Sequence, residues 1–470
     1  MRPVLTAKEM RAADAAAMRS VSHESLVERA GLAVAIAAVR RLPQVYGARV
    51  TVVCGPGSNG QDGRVAARHL AARGAVVDVL DATSPPSRID GAALVVDAAF
   101  GTGLSRRYDA PEVPPDTTVL AVDVPSGVDP DTGVASGSSM PATHTVAMGA
   151  LKRGHVLADG ATLSGTIEVA TLGIPVTTFD VAHVDDDDLD LIPPLHRDEH
   201  KWRRALVVLA GSPGMLGAAG LASDGAFCVQ AGMVLLCAPD VPRRREGPWG
   251  EEVVRLVASA QEAGKVVGDA LDRARALVVG PGLGRSTKLE RALAEILRAT
   301  REPVVLDADG LHLIDAAQLL ARQERGGSPI VLTPHDGEYA AMFGAVPGTD
   351  RIAAAQYAAQ RTGCTVLLKG ATTVVASTTP PPGVPPTLVV TSGTPDLATP
   401  GSGDVLSGVI GGLLARGVPA HVAAGLGAHV HGRAGALLGS RCRAGALPAA
   451  IAEILHARVT ASTPGGRRAG

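Results

Sequence analysis

Aromatic residues are scarce in this sequence, and this limits how its core can be built. Phe, Trp and Tyr together make up 2% of the 470 residues, whereas hydrophobic residues reach 46%. The core must therefore consist mainly of Ala, Val, Leu and Ile side chains. With 56 glycines along the chain, this composition favours tightly packed α/β layers joined by glycine-rich loops. The length exceeds that of one typical domain, so we expect at least two.

Cysteine pairs, an excess of one charge sign and long apolar runs are also missing. The five cysteines are odd in number and widely separated, which argues against a disulfide framework or a zinc site. A net charge of -2 with interspersed signs does not indicate a surface that binds nucleic acid or an anionic membrane. No apolar run approaches the ~20 residues that span a bilayer, and residues 1–17 do not read as a signal peptide. We therefore expect a cytoplasmic protein that acts on small molecules.

Short β-rich runs alternate with helical patterns along most of the chain, which is typical of parallel sheets with crossover helices. The alternation stops at Asp185–Asp188 and Pro193–Pro194 and then restarts. Four like charges repel one another and Pro-Pro cannot continue a helix or strand, so this segment is the predicted seam, most simply a solvated linker. The predicted organisation is a domain over residues 1–192, a linker over 193–199, a domain over 200–460 and a tail over 461–470.

Three polar motifs follow strands in the N-terminal half: residues 55–63 (GPGSNGQDG), residues 97–103 (DAAFGTG) and residues 123–129 (DVPSGVD). The first motif contains G-x-G-x-x-G before a helix predicted at Arg64–Arg73. With Asp81 after the next strand, it is compatible with dinucleotide binding, and equally with a tight turn. A single Asp at a strand end is more often a cap or turn residue. Because the carboxyl ends of parallel strands share one crevice, the three motifs together indicate a site.

The C-terminal half contains a glycine-rich helix start. Residues 400–404 read PGSGD and lead into an apolar helix predicted at Val409–Ala415. Backbone N–H groups and the helix dipole at such a start favour an anion such as a transferring phosphoryl group, and Asp404 can take a proton from the attacking hydroxyl. The simpler interpretation is a glycine turn with Asp404 as the N-cap. Other polar motifs end further strands and are expected at the same sheet edge: residues 280–284, 306–311, 332–338 and 366–370.

The N-terminal motifs resemble those of the YjeF N-terminal family, the NAD(P)H-hydrate epimerases, over about residues 1–190. The resemblance implies a Rossmann-like three-layer αβα domain with a parallel sheet. The family loop usually reads G-x-G-N-N-G-G-D-G, so Ser58 and Gln61 are departures. The substrate contacts that the resemblance implies are Ser58, Asn59, Gly60, Gln61, Asp62, Gly101, Thr102, Gly103, Leu104, Ser105, Arg106, Arg107 and Asp123.

The same resemblance implies a cation site, and the chemistry of its substrate requires an acid–base residue. Asn59, Asp97 and Ser126 match the family's potassium ligands, and their hard oxygens suit a hard cation. The substrate is a nicotinamide ring hydrated at C6, whose R and S forms interconvert through loss and return of the hydroxyl. Such a step needs an acid–base carboxylate beside that carbon. Asp123 is the residue that we predict for this role.

The C-terminal motifs resemble the YjeF C-terminal family, the ADP- or ATP-dependent NAD(P)H-hydrate dehydratases, over about residues 200–455. The resemblance implies a ribokinase-like αβα fold and Mg²⁺ on the nucleotide phosphates. Departures from the family pattern occur at Met215, Asp336, Asp396 and Pro400. The residues implied to contact the hydrated nicotinamide nucleotide are Gly284, His335 and Asp404. Those implied to hold the adenine nucleotide are Lys369, Gly370, Ala371, Thr372, Thr373 and Gly403.

The two resemblances together predict a bifunctional enzyme of nicotinamide nucleotide repair. It would interconvert the R and S hydrates and dehydrate the S form with ADP or ATP, releasing phosphate and AMP or ADP, with Asp404 as the base. The alternative is a ribokinase-like kinase of a small molecule, with an N-terminal module for dimerisation or ligand sensing. We further expect a homo-oligomer that binds neither nucleic acid nor membranes.

Overall fold

The computed structural model describes residues 1–103, 107–242 and 247–462. The chain forms two compact units, one of Arg2–Ala182 and one of His183–Gly470 that also takes Met1. The predicted boundary at 192 therefore differs from the structural division at 182.

The acidic run explains this difference. Asp185 caps a short 3₁₀ helix over Asp186–Leu191. The side chain of Asp186 accepts hydrogen bonds from His429 at 2.8 Å and from Arg433. Arg458 reaches Asp187 at 3.0 Å and Asp190 at 2.9 Å. Because Arg433 and Arg458 offset the like charges, the run packs as part of the C-terminal unit and is not a solvated linker.

The N-terminal unit is an α/β layer structure around a parallel sheet of six strands in the order β10-β8-β6-β4-β2-β3. Small parallel pairs are formed by β5 with β7 and by β1 with β9. The strands are β1 (Arg2–Leu5), β2 (Arg49–Cys54), β3 (Val76–Asp81), β4 (Leu94–Ala98), β5 (Tyr108–Asp109), β6 (Thr118–Val122), β7 (Gly137–Ser138), β8 (His144–Met148), β9 (Leu151–Lys152) and β10 (Thr166–Ala170). The helices are α1 (Ala7–Ala17), α2 (His23–Val39), α3 (Ser58–Ala71) and α4 (Gly160–Leu163).

Helix α3 begins at Ser58, six residues before the start predicted from the sequence. Gly57 is its N-cap, so the second half of the glycine-rich motif forms the first turns of a helix. The glycines serve close packing here: a Cβ on Gly60 would lie 1.8 Å from Gly55 O, and one on Gly63 would lie 2.5 Å from the Ala98 Cβ. Glycine spacing was a poor guide to the helix start because these glycines let α3 approach the sheet.

The C-terminal unit begins within strand β11 (Val181–His183). Its strands β12 to β20 run in the order β14-β13-β12-β15-β16-β17-β18-β19-β20, parallel as far as β18 and antiparallel at β19 and β20. The strands are β12 (Ala205–Leu209), β13 (Met233–Cys237), β14 (Val254–Leu256), β15 (Ala276–Val279), β16 (Val304–Leu306), β17 (Ile330–Leu332), β18 (Thr365–Leu368), β19 (Thr373–Ala376) and β20 (Thr387–Val390). The helices are α5 (Leu216–Cys228), α6 (Ala263–Leu271), α7 (Thr287–Ala299), α8 (Asp309–His312), α9 (Ala316–Glu324), α10 (Asp336–Phe343), α11 (Arg351–Thr362), α12 (Ser402–Ala415), α13 (Ala420–Leu438) and α14 (Leu447–Ser462).

The central strands are buried from end to end, as in β4 and β12. Strands that are covered on both faces have continuous apolar sequences, which is why Val and Leu dominate them. The core against β2 and β4 consists of Ala, Val and Leu with single Cys and Met residues at Cys54 and Met148. The predictions of two α/β domains with parallel sheets and an aliphatic core are confirmed. No helix in the described part of the chain is long and apolar enough to cross a membrane.

Candidate active sites

The crevice of the N-terminal unit opens where the strand order reverses. From β2 the chain continues to β3 on one side, whereas β4 lies on the other side of β2. The loops after β2 and β4 therefore diverge at the carboxyl edge, which is where open α/β sheets bind ligands. Asn59 spans this point: its Nδ2 donates to Val122 O at 2.7 Å, and a Cβ on Gly101 would lie 2.5 Å from its Oδ1.

Asp97 and Ser126 form a buried pair beside Asn59. The Oγ and N of Ser126 donate to the Asp97 carboxylate at 2.6 and 2.9 Å, and Ala99 N donates at 3.3 Å. Ser126 Oγ also accepts from Phe100 N at 2.9 Å. Burial raises the pKa of Asp97, while these hydrogen bonds oppose the rise. Among the described residues no basic side chain pairs with Asp97, so a bound cation would compensate its charge.

Asp123 lies directly after β6 in a left-handed conformation with φ of 67°. Its Oδ1 accepts a hydrogen bond from Met148 N at 3.1 Å and pairs with the ammonium group of Lys152. Lys152 has no exposed surface, and its Nζ also donates to Met148 O and to Ala150 O. His155 accepts from Lys152 N and donates through Nε2 to Asp123 O at 2.6 Å. Asp123 is thus fixed at both its backbone and its carboxylate.

Two further carboxyl groups of the N-terminal unit lie within electrostatic range of Asp123. Burial, and secondly the charge of Asp123, raise the pKa of Asp62 to about 8. Burial also raises the pKa of Asp14, with Lys152 opposing and Asp123 adding to the rise. Burial and the charge of Lys152 lower the pKa of His155 to about 4, so its ring is neutral at physiological pH. The region therefore holds three carboxyl groups and one ammonium group.

The remaining residues predicted for this site are placed as follows. Ser58, Gly60 and Gln61 lie in the first turn of α3, and the exposed Gln61 side chain contacts His23 at 3.3 Å. Arg107 is exposed and pairs with Asp109. Gly101, Thr102 and Gly103 follow β4, whereas Leu104, Ser105 and Arg106 lie outside the described residues. The exposed Asp81 accepts hydrogen bonds from Thr83 N and Oγ1 at 2.8 Å, which is a turn and favours the structural interpretation of that residue.

The C-terminal unit has its own reversal of strand order, between β12 and β15. Loops after these strands are joined by Ser212 Oγ, which donates to Gly282 O at 2.9 Å. Gly284, with φ of 81°, donates its N–H to Asp309 Oδ2 at 2.8 Å. A side chain on Gly284 would be strained, so glycine keeps the backbone open at this edge.

Helix α12 begins at Ser402, well before the predicted start at Val409. Gly401 is the N-cap in a left-handed conformation with φ of 88°, and Asp404 lies in the first helical turn. The interpretation of Asp404 as the N-cap is therefore wrong. Because Gly401 has no side chain, the first N–H groups of α12 are not capped by it and remain suited to an anion.

A partly buried ion pair lies near Asp404. Lys369 Nζ donates to Asp307 Oδ1 at 2.6 Å, and Ser407 Oγ donates to Asp307 Oδ2. A Cβ on Gly403 would lie 3.4 Å from Lys369 Nζ, which places Lys369 directly over the glycine-rich start of α12. Burial and then the charge of Asp307 raise the pKa of Asp404 to about 6, while Lys369 opposes the rise. Asp404 is therefore ionised at neutral pH, and its pKa is close to that of an efficient general base.

His335 is the N-cap of α10. Its Nδ1 accepts from Gly337 N at 3.0 Å and from Glu338 N at 3.3 Å, and Glu338 in turn accepts from His335 N at 3.0 Å. The His335 side chain is 60% exposed, and its Nε2 lies 3.5 Å from Glu338 Oε1. Glu338 is near enough to Asp404 to add to its raised pKa, which places His335 in the same region of the unit.

Five of the six predicted nucleotide residues lie in and around the turn between β18 and β19, and Gly403 lies in α12. Lys369 and Gly370 follow β18, Thr372 is buried, and Thr373 begins β19. Gly370 and Ala371 are exposed. Arg351 NH2 donates to Lys369 O and to Asp336 Oδ1, the latter at 2.9 Å. The turn is thereby tied to the start of α10.

Several residues of these sites were not assigned a role from the sequence. Asp307 was noted only as part of a strand-end motif, and Ser407 and Arg351 were not singled out. Lys152 and His155 follow β8 in the segment Lys-Arg-Gly-His. A lysine at the end of an apolar strand is the signal that could have pointed to Lys152, since burying such a charge is costly without a partner.

The comparisons with known proteins agree with both units. Residues 206–457 match the family described as NAD(P)H-hydrate dehydratase, and residues 23–90 and 81–154 match the family described as YjeF-related protein N-terminus. A relative from Moorella thermoacetica, named bifunctional NAD(P)H-hydrate repair enzyme Nnr, is 34% identical over 87% of each chain. One of the same name from Mycobacterium tuberculosis is 34% identical over 87% of this chain and 88% of its own.

The chain belongs to the bifunctional NAD(P)H-hydrate repair enzymes. Among solved structures, a ribokinase-like superfamily protein from Enterococcus faecalis V583 is similar with a TM-score of 0.51. It is 19% identical and covers 60% of this chain and 98% of its own. The predicted ribokinase-like fold of the C-terminal unit is thus confirmed. A repair enzyme of this family joins two enzymatic units in one chain, and the two crevices described above match that organisation.

Proposed function

We propose that this repair enzyme interconverts the R and S hydrates of NADH and NADPH in its N-terminal unit and dehydrates the S hydrate in its C-terminal unit. The second reaction would use ADP or ATP and release phosphate with AMP or ADP. The observation that carries the proposal is the position of Asp404. It lies in the first turn of α12 beside a glycine N-cap and the Lys369–Asp307 pair, as phosphoryl transfer to a hydroxyl requires.

The dehydration chemistry explains the use of a kinase fold. Hydroxide is a poor leaving group, so the C6 hydroxyl first attacks the terminal phosphoryl group of the nucleotide while Asp404 takes its proton. The ring nitrogen then expels phosphate, and loss of a proton from C5 restores the reduced ring. Gly403 and the turn from Lys369 to Thr373 would hold the nucleotide, and Gly284 and His335 would hold the hydrate.

Mg²⁺ would be held by the nucleotide phosphates. When bound, it supplies positive charge to the transferring phosphoryl group. Lys369 and Ser407 already engage both oxygens of Asp307, so we assign no carboxylate of the protein to the ion. Lys369 would instead contribute its own positive charge beside the phosphates.

A potassium ion fits the N-terminal crevice. Asn59, Asp97 and Ser126 offer an amide, a carboxylate and a hydroxyl oxygen, which suit a hard monovalent cation. Asp97 is fully buried without a basic partner among the described residues, so a cation would offset its desolvation. When bound, the ion would supply positive charge beside the ribosyl phosphate of the substrate.

The test uses the full-length chain and a purified mixture of R and S hydrates. With ADP or ATP, reduced cofactor should reappear by absorbance, one for one with orthophosphate. Accumulation of a stable phosphorylated organic product instead would favour the alternative of a small-molecule kinase. Chromatographic separation of the two hydrates without nucleotide measures the epimerase. Potassium should speed this interconversion relative to a bulky quaternary ammonium salt at equal ionic strength.

Failure of the epimerase assay would favour the other interpretation of the N-terminal unit. If the wild-type chain with potassium interconverts the hydrates no faster than buffer while the dehydratase is active, this unit is a module for dimerisation or ligand sensing. The dehydratase reaction in the same sample shows that the protein is folded and active.

A further inference from the structure

Lys152 pairs with Asp123, and Asp62 lies within electrostatic range of the same carboxylate. Neither the resemblance nor the comparisons give Lys152 a role or say which of the two carboxyl groups carries the proton. We propose that Asp62 and Asp123 are an unequal acid–base pair, in which Asp62 carries the proton and Lys152 is the positioning residue that holds the Asp123 carboxylate. The proposal rests on the epimerase function proposed above and adds the division of roles between the two carboxyl groups.

The environment of Lys152 is the first support. All three polar contacts of its ammonium group are internal: the Asp123 carboxylate, Met148 O and Ala150 O. The side chain is 1% exposed. Burying an ion pair costs several kcal/mol per ion before the attraction is counted, and an apolar pair of similar volume is often at least as stable. Stability alone therefore gives no reason for this pair, whereas fixing the charge of Asp123 does.

Asp62 is the second support. It lies in α3, is 7% exposed, and among the described residues makes no hydrogen bond or ion pair that would hold it ionised. A buried carboxylate without a partner is strongly disfavoured, and the nearby charge of Asp123 disfavours it further. The ammonium group of Lys152 pairs with Asp123 and not with Asp62. Asp62 is therefore the carboxyl group that keeps its proton, in agreement with a pKa raised to about 8.

The other titratable groups around the pair do not change this assignment. Asp14 of α1 is half-buried, and its carboxyl pKa is also raised by burial. His155 is neutral because its pKa is lowered to about 4, and its Nε2–H is used by Asp123 O. Neither group supplies a second positive charge that would ionise Asp62.

This division provides the two proton transfers of an epimerisation. Asp62 gives its proton to the departing C6 hydroxyl, the C6–O bond breaks with its electron pair on water, and the ring nitrogen forms a double bond to C6. Water then adds to the opposite face of C6 and gives a proton to the Asp123 carboxylate. One proton has moved from Asp62 to Asp123, and the reverse reaction or exchange with solvent restores it. No oxidant or other reactant is needed.

The wild-type enzyme allows a test that needs no variant. We measure the interconversion of R and S hydrates without nucleotide as a function of pH, after subtraction of the spontaneous rate. Because Asp62 must be protonated, the rate should fall about tenfold per unit as pH rises above about 8. A rate that stays constant through this range would overturn the role of Asp62.

Asp62→Asn tests the same role directly. The variant should lose about 10²-fold or more of the epimerase rate, with little change in KM, and should no longer show the decline above about pH 8. The native state binds the Asp62 proton more tightly than the unfolded state, so wild-type stability falls as pH rises from about 4 to about 8. The amide is neutral, so the variant should unfold at a temperature no lower than wild type near pH 8. Asp90→Asn, at an exposed pair with Arg88, is the matched control.

Lys152→Met tests the positioning role. Without the ammonium group the Asp123 carboxylate is no longer held in place, so kcat of the epimerase should fall at least about tenfold while KM changes little. A purely structural role would reduce the amount of folded protein but leave kcat per folded molecule unchanged, and that result would overturn the assignment. Lys8→Met removes an exposed lysine of α1 and should leave kcat and KM unchanged.

The outcomes separate this inference from the function on which it rests. If wild type fails to interconvert the hydrates at any pH, both fall. If wild type is active but Asp62→Asn retains its rate and its alkaline decline, the acid–base assignment falls and the epimerase function stands. Dehydration of purified S hydrate should be unchanged in both variants, because it takes place in the other unit.

Discussion

Each unit of this chain places a carboxyl group in the first turns of a helix with a glycine N-cap, but the pKa values of the two groups differ. Asp404 stands opposite the Lys369–Asp307 pair, and its pKa is raised to about 6, so it is ionised at neutral pH. Asp62 is more completely isolated from cations, and its pKa is raised to about 8, so it is protonated. The difference indicates that the balance of burial and nearby charge decides whether a carboxyl group near a helix start acts as base or acid.

The largest expected effect is the loss of dehydration in Asp404→Asn. An amide cannot take the hydroxyl proton, so turnover should fall roughly 10²- to 10⁴-fold while the nucleotide still binds. Reappearance of reduced cofactor from S hydrate measures this. Asp396→Asn, which alters an exposed carboxylate near Thr394, is the control. Near wild-type turnover in Asp404→Asn would show that Asp404 is not the base of the dehydration.

Asp123→Ala should have a large effect confined to the other reaction. Repair of the R hydrate should slow to the spontaneous rate of epimerisation, a loss of roughly 10²-fold or more, because the carboxylate that accepts the proton is gone. Dehydration of the S hydrate should be untouched, since the two sites lie in units with separate cores. Time courses that start from pure R and pure S hydrate distinguish the two steps. An equal loss of both activities would contradict their independence.

The pH dependence of the two reactions sharpens the comparison. Asp404 must be ionised, so dehydration should be constant at neutral pH and fall about tenfold per unit as pH drops below about 6. The epimerase should instead decline on the alkaline side of about pH 8. Initial rates of each reaction in buffers of constant ionic strength test this. Identical profiles for both reactions would mean that a shared step, and not these carboxyl groups, limits the rates.

Lys369→Met should have an intermediate effect on nucleotide use. A charge-assisted contact to phosphate is worth about 1.5–3 kcal/mol, so the KM for the nucleotide should rise about 10- to 100-fold. Because Lys369 lowers the pKa of Asp404, the acid side of the dehydration profile should also move to higher pH. Lys265→Met, at an exposed lysine of α6, provides the comparison. An unchanged KM would place the nucleotide elsewhere.

The smallest expected effect is that of Gln61→Gly, which restores the usual family residue. The Gln61 side chain is exposed and contacts His23, so its removal should change the epimerase rate by less than about threefold. Glycine within α3 should cost about 1 kcal/mol of stability, which thermal unfolding would report. A large gain in epimerase rate would show that Gln61 obstructs the substrate.

Much of the candidate site could be predicted from motifs because its residues lie in short segments of the sequence. The segment 123–129 and the segment 400–404 were identified with the correct order of elements around them, since parallel strands bring their ends to one edge. Helix starts were less accurate. Both α3 and α12 begin several residues earlier than predicted, because glycines that usually mark loops here permit close packing of a helical turn.

The sequence by itself determined the class of each layer, the aliphatic core and the family to which the chain belongs. Only the tertiary structure decided that Lys152 neutralises Asp123, that Lys369 pairs with Asp307, and that the acidic run after Val184 joins the C-terminal unit. The physical reason is that hydrophobic periodicity and turn chemistry are local, whereas ionisation depends on burial and on charges brought close by the fold. Partners separated by tens of residues acquire their charge states only when the sheets assemble.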